Sequence, residues 1–391
     1  MPAVPASLIV ILGALSAFGP LATDMHLPAF PAIAATLGTS PAALQGALAA
    51  FFAGMGLGQL LYGTLSDRVG RRPALLLGLV LFTAASVAAA LAESLAGFVL
   101  ARFVQGIGGC AGVVMSRAIA RDLTEGPAMA RLMSQLMLVS GIAPIIAPTL
   151  GGALLAGFGW QAIFVALALY GAALAAAALL LLRESLPPEH RRRDGPAAVL
   201  GTYGALLRDR RFLGPALSGA LLSAGMFTYI GASPFVFMTL HGLKPTQYGL
   251  LFGLNALGIM GVAQLNALAM RRGMAPTRAF DLVQYAMAGA ALLLLVVVAT
   301  GFGGAVAVAV ALFLYVACIG AVMPLASAQA MAAHGRVAGS ASALIGMLQF
   351  GIGAAMGWMV GGLHDGTALP MALGITACAL LSRGVRVALA R

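Results

Sequence analysis

Apolar runs of about twenty residues or more recur along the whole chain, each ended by a short cluster of charged, glycine or proline residues. They fall at roughly 6–30, 42–64, 73–92, 96–117, 132–156, 160–182, 212–238, 246–270, 277–300, 303–325, 336–361 and 367–388. A helix needs about 20 apolar residues to cross a bilayer. The pattern therefore predicts an all-α membrane protein with twelve transmembrane helices. The first run is too long for a cleaved leader and has no basic segment before it, so it reads as a span. The longest polar stretch, 183–211, contains "EHRRRDGP" and divides the chain. It separates an N-terminal six-helix bundle (1–182) from a C-terminal one (212–391). Spans 2–3 read "GMGLGQLLYGTLSDRVGRRPALL" and spans 8–9 read "LGIMGVAQLNALAMRRGMAPTRAF". Both place a small-residue helix before a basic turn, then a proline and a new helix. Two pseudo-symmetric halves are a common transporter plan.

Composition agrees. Of 391 residues, 61% are hydrophobic and 8% charged, against about a quarter charged in an ordinary globular chain. The 51 glycines suit helices that approach closely in lipid.

The net charge of +11 raises the question of nucleic acid, and the placement of the charges answers it. Arg68, Arg71, Arg72, Arg121, Arg131, Arg183, Arg191, Arg192, Arg193, Arg208, Arg210, Arg211, Arg271, Arg272, Arg278, Arg336, Arg383, Arg386 and Arg391 fall on one side of the predicted topology. That is 19 of 22 basic residues. Lys244 alone falls on the other side, and Arg102 and Arg117 lie within the fourth run. This is a topology signal and no polymer-binding surface; it puts both termini in the cytoplasm. The basic linker orients and tethers, with lipid headgroups as an alternative contact.

Other chemistry is excluded in turn. Cys110, Cys318 and Cys378 lie in apolar runs, without disulfide or metal spacing. The single lysine, Lys244, forms no phosphate-binding glycine loop, so neither ATP nor another cofactor is expected. His26, His190, His241, His334 and His364 are scattered over five loops, which argues against a membrane-embedded enzyme. His26 is expected near the outer surface, with no essential role.

One carboxylate and one arginine stand well inside apolar runs near the predicted outer end. Asp24, in "GPLATDMHLP", is the one acidic residue well within a span, and Arg102 lies in "ARFVQGIGG". An intramembrane charge needs a partner or a function. Counting from the span ends puts both about 9 Å below the outer boundary at 1.5 Å per residue, where they can meet directly or through water. Burial and a neighbouring arginine act on a carboxyl's proton affinity in opposite senses, which suits a group that exchanges its proton near physiological pH. The alternatives are a permanently ionised structural partner of Arg102, a cap at the break near Pro28, and an Arg102 that snorkels to the interface. Gln105 lies one turn below Arg102, and Tyr229, Asn255 and Gln349 are further cavity candidates beside Asp24 and Arg102. Such groups more often bond between helices. Phe51, Phe52, Phe227, Phe235 and Met55 offer an adaptable apolar wall, although packing or lipid contact suits each one singly.

Four stretches carry a family resemblance. "GTLSDRVGRRPAL" (63–75) resembles the loop motif of the major facilitator superfamily, Gly-x-x-x-Asp-Arg-x-Gly-Arg-Arg. "ARFVQGIGGCAGVVMSRAIARDL" (101–123) resembles its span-4 motif. "GIAPIIAPTLGGALL" (141–155) resembles the drug:proton antiporter motif, with Ala147 where Gly is usual. "GPLATDMHLPAFP" resembles the span-1 motif of the twelve-span antiporters. With "YIGASPFVF" and "AGSASALIGMLQFGIGA", the chain is similar to the bicyclomycin-resistance (Bcr/CflA) family over nearly its whole length.

The resemblance implies a major facilitator fold and proton-coupled export of drug-like small molecules across a bacterial inner membrane. It implies proton coupling at Asp24 and Arg102. It implies a cytoplasmic latch of Gly63, Asp67, Arg68, Gly70, Arg71 and Asp122, with Arg71 pairing Asp122. Pro144, Pro148, Gly151 and Gly152 would form the antiporter motif. The expected partners are protons, a drug-like substrate and lipid, for a chain acting as a monomer. A metabolite exporter of the same fold is the rival.

Overall fold

The computed structural model describes residues 5–191, 196–334 and 337–389. Among them are twelve helices long and apolar enough to cross a membrane. Spans 1–6 are Ala6–Thr36, Ala43–Val69, Arg71–Ala90, Leu95–Leu123, Arg131–Phe158 and Gln161–Leu181. Spans 7–12 are Arg210–Leu240, Pro245–Arg271, Pro276–Thr300, Gly304–Met331, Ala338–Gly362 and Leu369–Leu389. Several run further than their apolar stretches. Span 4 carries Arg117, Arg121 and Asp122 in its last turns, because a helix continues past the hydrocarbon for as long as its charges reach a partner or water. The linker is not a plain loop: Pro196–Arg208 forms a helix, "PAAVLGTYGALLR". Of the basic residues assigned to the topology signal, Arg192, Arg193, Arg336 and Arg391 lie outside the described residues.

The chain separates into two compact units. One contains the residues up to Thr39 together with Ala50–Val199. The other contains Ser40–Ala49 and the residues from Leu200 onward. The first turns of span 2 therefore group with the second unit.

Each unit repeats one internal scheme. In the first, span 3 packs on spans 4 and 6, and span 1 packs on spans 4, 5 and 6. In the second, span 9 packs on spans 10 and 12, and span 7 packs on spans 10, 11 and 12. Small residues make this possible. Span 4 offers Gly106 to the span 2 backbone and Gly108 to the span 3 backbone: a methyl there would meet the Phe51 carbonyl oxygen at 2.1 Å and the Phe82 nitrogen at 2.4 Å. Close backbone approach of this kind holds helices together where lipid removes the hydrophobic drive.

Candidate functional site

Span 1 is not a continuous helix. Its helix Phe18–Asp24 gives way to a 3₁₀ turn, Leu27–Ala29, before helix resumes at Phe30–Thr36. The cause is Pro28. It stands four residues after Asp24 and has no N–H to bond the Asp24 carbonyl. The ladder stops with Met25 donating to Leu21, and among the described residues no backbone N–H bonds the Ala22 carbonyl.

Arg102 takes that carbonyl. Its Nη2 donates to the Ala22 oxygen at 3.0 Å, and its Nη1 donates to Gln105 Oε1. Gln105 Nε2 donates to Ser86 Oγ at 2.7 Å, and Ser86 donates to the Phe82 carbonyl at 2.7 Å. The guanidinium carbon lies 4.4 Å from the centre of the Phe51 ring, a cation–π contact. Arg102 is 0% exposed, so it does not snorkel. It is a fully buried cation, solvated by a carbonyl, an amide and a ring.

Asp24 is brought to the same break, but no ion pair joins it to Arg102 among the described residues. It is 3% exposed, and its Oδ1 is buried without a hydrogen-bond partner. His26 is not near the outer surface, as the sequence reading had it. It is 1% exposed, both ring nitrogens are buried without partners, and its ring lies 5.3 Å from Phe30 and 5.9 Å from Phe164.

Span 5 closes on the break. A methyl at Gly151 would meet the Met25 carbonyl oxygen at 1.8 Å, whereas one at Gly152 would meet nothing within 4 Å. The two glycines are therefore not equivalent: Gly151 is the contact residue. Pro148 is buried and Pro144 half-buried in the same helix. Ala147, which departs from the antiporter pattern, is fully buried.

The other cavity candidates divide between the two units. In the second unit Asn255 Nδ2 donates to Tyr229 Oη at 2.7 Å, and both residues are buried. Gln349 is half-buried in span 11. Phe51, Phe52, Met55 and Phe227 are all buried, and Phe235 stacks edge-on against His364 at 4.4 Å.

At the far end of the first unit the residues expected to form a latch converge. Gly70 sits at φ +107°, where a side chain is strained, and a methyl there would also meet Glu184 Oε2 at 2.4 Å. Arg71 joins two carboxylates: Nη1 contacts Asp67 at 2.5 Å and Nε contacts Asp122 at 2.9 Å. Nη1 also donates to Ser66 Oγ at 2.9 Å. Gly63 and Arg68 are half-buried on the preceding turns.

Two residues of this cluster were missed. Glu184, in the linker, accepts the N–H groups of Arg71 at 2.8 Å and Arg72 at 3.2 Å, capping the start of span 3. Ser185 donates to Asp122 Oδ2 at 2.9 Å. Their one sequence signal is a carboxylate two residues after the last apolar residue of the sixth run, Leu182. Arg72 completes the corner by donating to the Ala178 and Leu179 carbonyls at the end of span 6. The second unit has a counterpart, in which Asp281 pairs with Arg383 at 3.2 Å and Arg386 at 3.3 Å.

Comparison with known proteins places this geometry. A family model for the Major Facilitator Superfamily matches residues 12–358. The uncharacterized MFS-type transporter YdgK of Bacillus subtilis is 36% identical over 367 residues, covering 93% of this chain and 90% of that one. A bicyclomycin resistance protein homolog of Haemophilus influenzae is 32% identical over 378 residues, covering 96% and 94%. The multidrug resistance protein MdtL of Escherichia coli is 32% identical over 237 residues, covering 61% and 60%. Among solved structures, a D-xylose-proton symporter matches with a TM-score of 0.74 over 96% of both chains at 18% identity. That last likeness is one of fold.

Proposed function

We propose a function for a chain that belongs to the Major Facilitator Superfamily: proton-coupled export of small amphipathic compounds, drugs among them, by alternating access across a bacterial inner membrane. Relatives named for bicyclomycin resistance and multidrug resistance support the substrate class. One observation carries the coupling: Asp24 is buried with an unpartnered carboxyl oxygen. An ionised carboxylate in that state is costly unless it is paired. It needs an occupant, and two kinds fit: a proton, or a hydrogen-bond donor or cationic group of a substrate.

The two occupants exclude each other, and that is the physical core of antiport. A proton loaded from outside is released inward, and the substrate then takes the site. Arg102, bonded to the Ala22 carbonyl of the same segment, is the countercharge this reading assigns. The Arg71 cluster with Asp67 and Asp122 serves as the cytoplasmic latch, and Pro144, Pro148 and Gly151 shape span 5 against the break. The working unit is the single chain, since both halves are in it.

The test is proton release. Purified protein in weakly buffered detergent receives chloramphenicol or bicyclomycin, beside an Asp24→Asn variant. Release by the native protein that is absent in the variant is the expected result. Drug binding with equal release from both proteins removes Asp24 from coupling. Binding of neither drug shifts the substrate class toward small metabolites.

A further inference from the structure

After Asp209 the chain carries two acidic residues, Asp281 and Asp365. Asp365 lies between spans 11 and 12, at the outer end of the topology. Asp281 is therefore the one carboxylate on the cytoplasmic side of spans 8–12, and it is outnumbered. Its Oδ1 accepts from Arg383 Nη1 at 3.2 Å and from Arg386 Nε at 3.3 Å. In the first unit's cluster the ratio is reversed: Arg71 alone joins Asp67 and Asp122. The corner of the second unit thus keeps a cation that no carboxylate balances. Arg278, exposed one turn before Asp281, adds to the excess.

These two arginines are not loop residues. Span 12 runs to Leu389, so Arg383 lies about 9 Å inside its end at 1.5 Å per residue. That is headgroup depth. Both guanidiniums are held in place. Arg383 Nη2 donates to Tyr285 Oη at 2.6 Å, with the guanidinium carbon 4.5 Å from the ring centre. Arg386 Nη1 donates to Gln329 Oε1 at 2.8 Å. Among the described residues Arg383 Nε and Arg386 Nη2 have no partner. The surface beside them is apolar: Leu282, Tyr285 and Leu381 are all exposed. An exposed tyrosine at this depth suits the belt where aromatic rings meet headgroups.

We propose that this corner of spans 9 and 12 binds one anionic phospholipid of the inner leaflet. Its phosphate sits on Arg383 and Arg386, and its acyl chains lie along Leu282 and Leu381. Charge selects the headgroup, because a phosphate with net negative charge balances the surplus guanidinium through charge-assisted hydrogen bonds. The exposed leucines select a lipid over a soluble anion, which gains nothing from apolar contact. A purely internal ion pair between spans 9 and 12 needs one arginine and leaves the second unexplained. The site is independent of the reading of Asp24.

Native mass spectrometry of the purified full chain, released from detergent with equimolar phosphatidylglycerol and phosphatidylcholine, counts the lipid retained. The native protein should keep phosphatidylglycerol in preference. Arg383→Gln should weaken that binding about fivefold, the effect of one basic residue at an anionic surface. Asp281→Asn frees both guanidiniums without removing either, and should strengthen it. Opposite signs are the signature of an anion site; a pair that only braces the helices would respond alike to both changes. Equal retention of the two lipids overturns the inference. So does an unchanged preference in both variants, or a shift in the same direction. Displacement of the lipid by inorganic phosphate at equal concentration would assign a soluble anion and overturn the lipid. If Arg383→Gln does not elute as a folded monodisperse protein, Arg278→Gln replaces it, with a loss of the same sign expected.

Discussion

Arg102 donates to the carbonyl of Ala22 at 3.0 Å, and not to the carboxylate of Asp24 two residues further on. The cation of span 4 is therefore tied to the backbone of span 1 at the point where Pro28 interrupts the ladder. Its other arm is fixed by Gln105, which Ser86 holds in turn. Three spans share one chain of hydrogen bonds, which ends at the Ala22 carbonyl two residues before Asp24. This gives the buried arginine a structural anchor without neutralising Asp24. A permanent Arg102–Asp24 pair would leave the proton nothing to compete for.

Span 5 tests how tightly the break is held. Because a methyl at Gly151 would meet the Met25 carbonyl oxygen at 1.8 Å, Gly151→Ala must push span 1 away. The expected loss is about 1–3 kcal/mol of stability, the usual range for overpacking, together with lost efflux. Gly152→Ala meets nothing within 4 Å and is expected to be neutral, or slightly stabilising by as much as about 1 kcal/mol from helix propensity. Thermal unfolding in detergent and drug susceptibility of expressing cells measure both. Equal behaviour of the two variants would contradict the asymmetry.

The twelve spans, the clustering of Asp67, Arg71 and Asp122, and the burial of Asp24 and Arg102 were legible in the sequence, each for a physical reason. Apolar length reports membrane crossing, and a charge inside such a run has no innocent reading. The partners were less legible. Arg102 binds a backbone carbonyl, which no residue letter announces, and that carbonyl is left open where the helix ends before the 3₁₀ turn at Leu27–Ala29. Glu184 and Arg71 are 113 residues apart, so their contact depends on the packing of spans 3 and 6. The linker helix at Pro196–Arg208 was hidden by the surrounding charge, which made 183–211 look like a plain loop.

Glu184 straps the linker to the latch. Glu184→Ala removes acceptors from the N–H groups of Arg71, Arg72 and Leu186. Loss of a helix cap costs about 0.5–2 kcal/mol. Limited trypsin digestion is the direct readout: cleavage after Arg183 and Arg191 should accelerate in the variant. Native cleavage rates with native stability would show that Ser185 and Arg72 hold the segment without Glu184.

A final prediction concerns acid. Asp209 caps span 7, accepting the Arg211 N–H at 2.8 Å, and its second oxygen lies 2.9 Å from His334 Nε2. The Arg211 N–H first, and His334 after it, hold the Asp209 carboxyl below the usual carboxylate range. A lowered folded-state value means that the ionised group stabilises the fold at pH values above its unfolded value, about 3.9. That contribution fades as pH falls through the folded value. Asp209→Asn removes the charge but keeps an acceptor for the cap. The difference in melting temperature between native protein and variant should then shrink as the pH falls below about 4. A difference that persists at low pH would mean that the amide disrupts packing, and that the charge of Asp209 contributes nothing to holding span 7 against the segment after span 10.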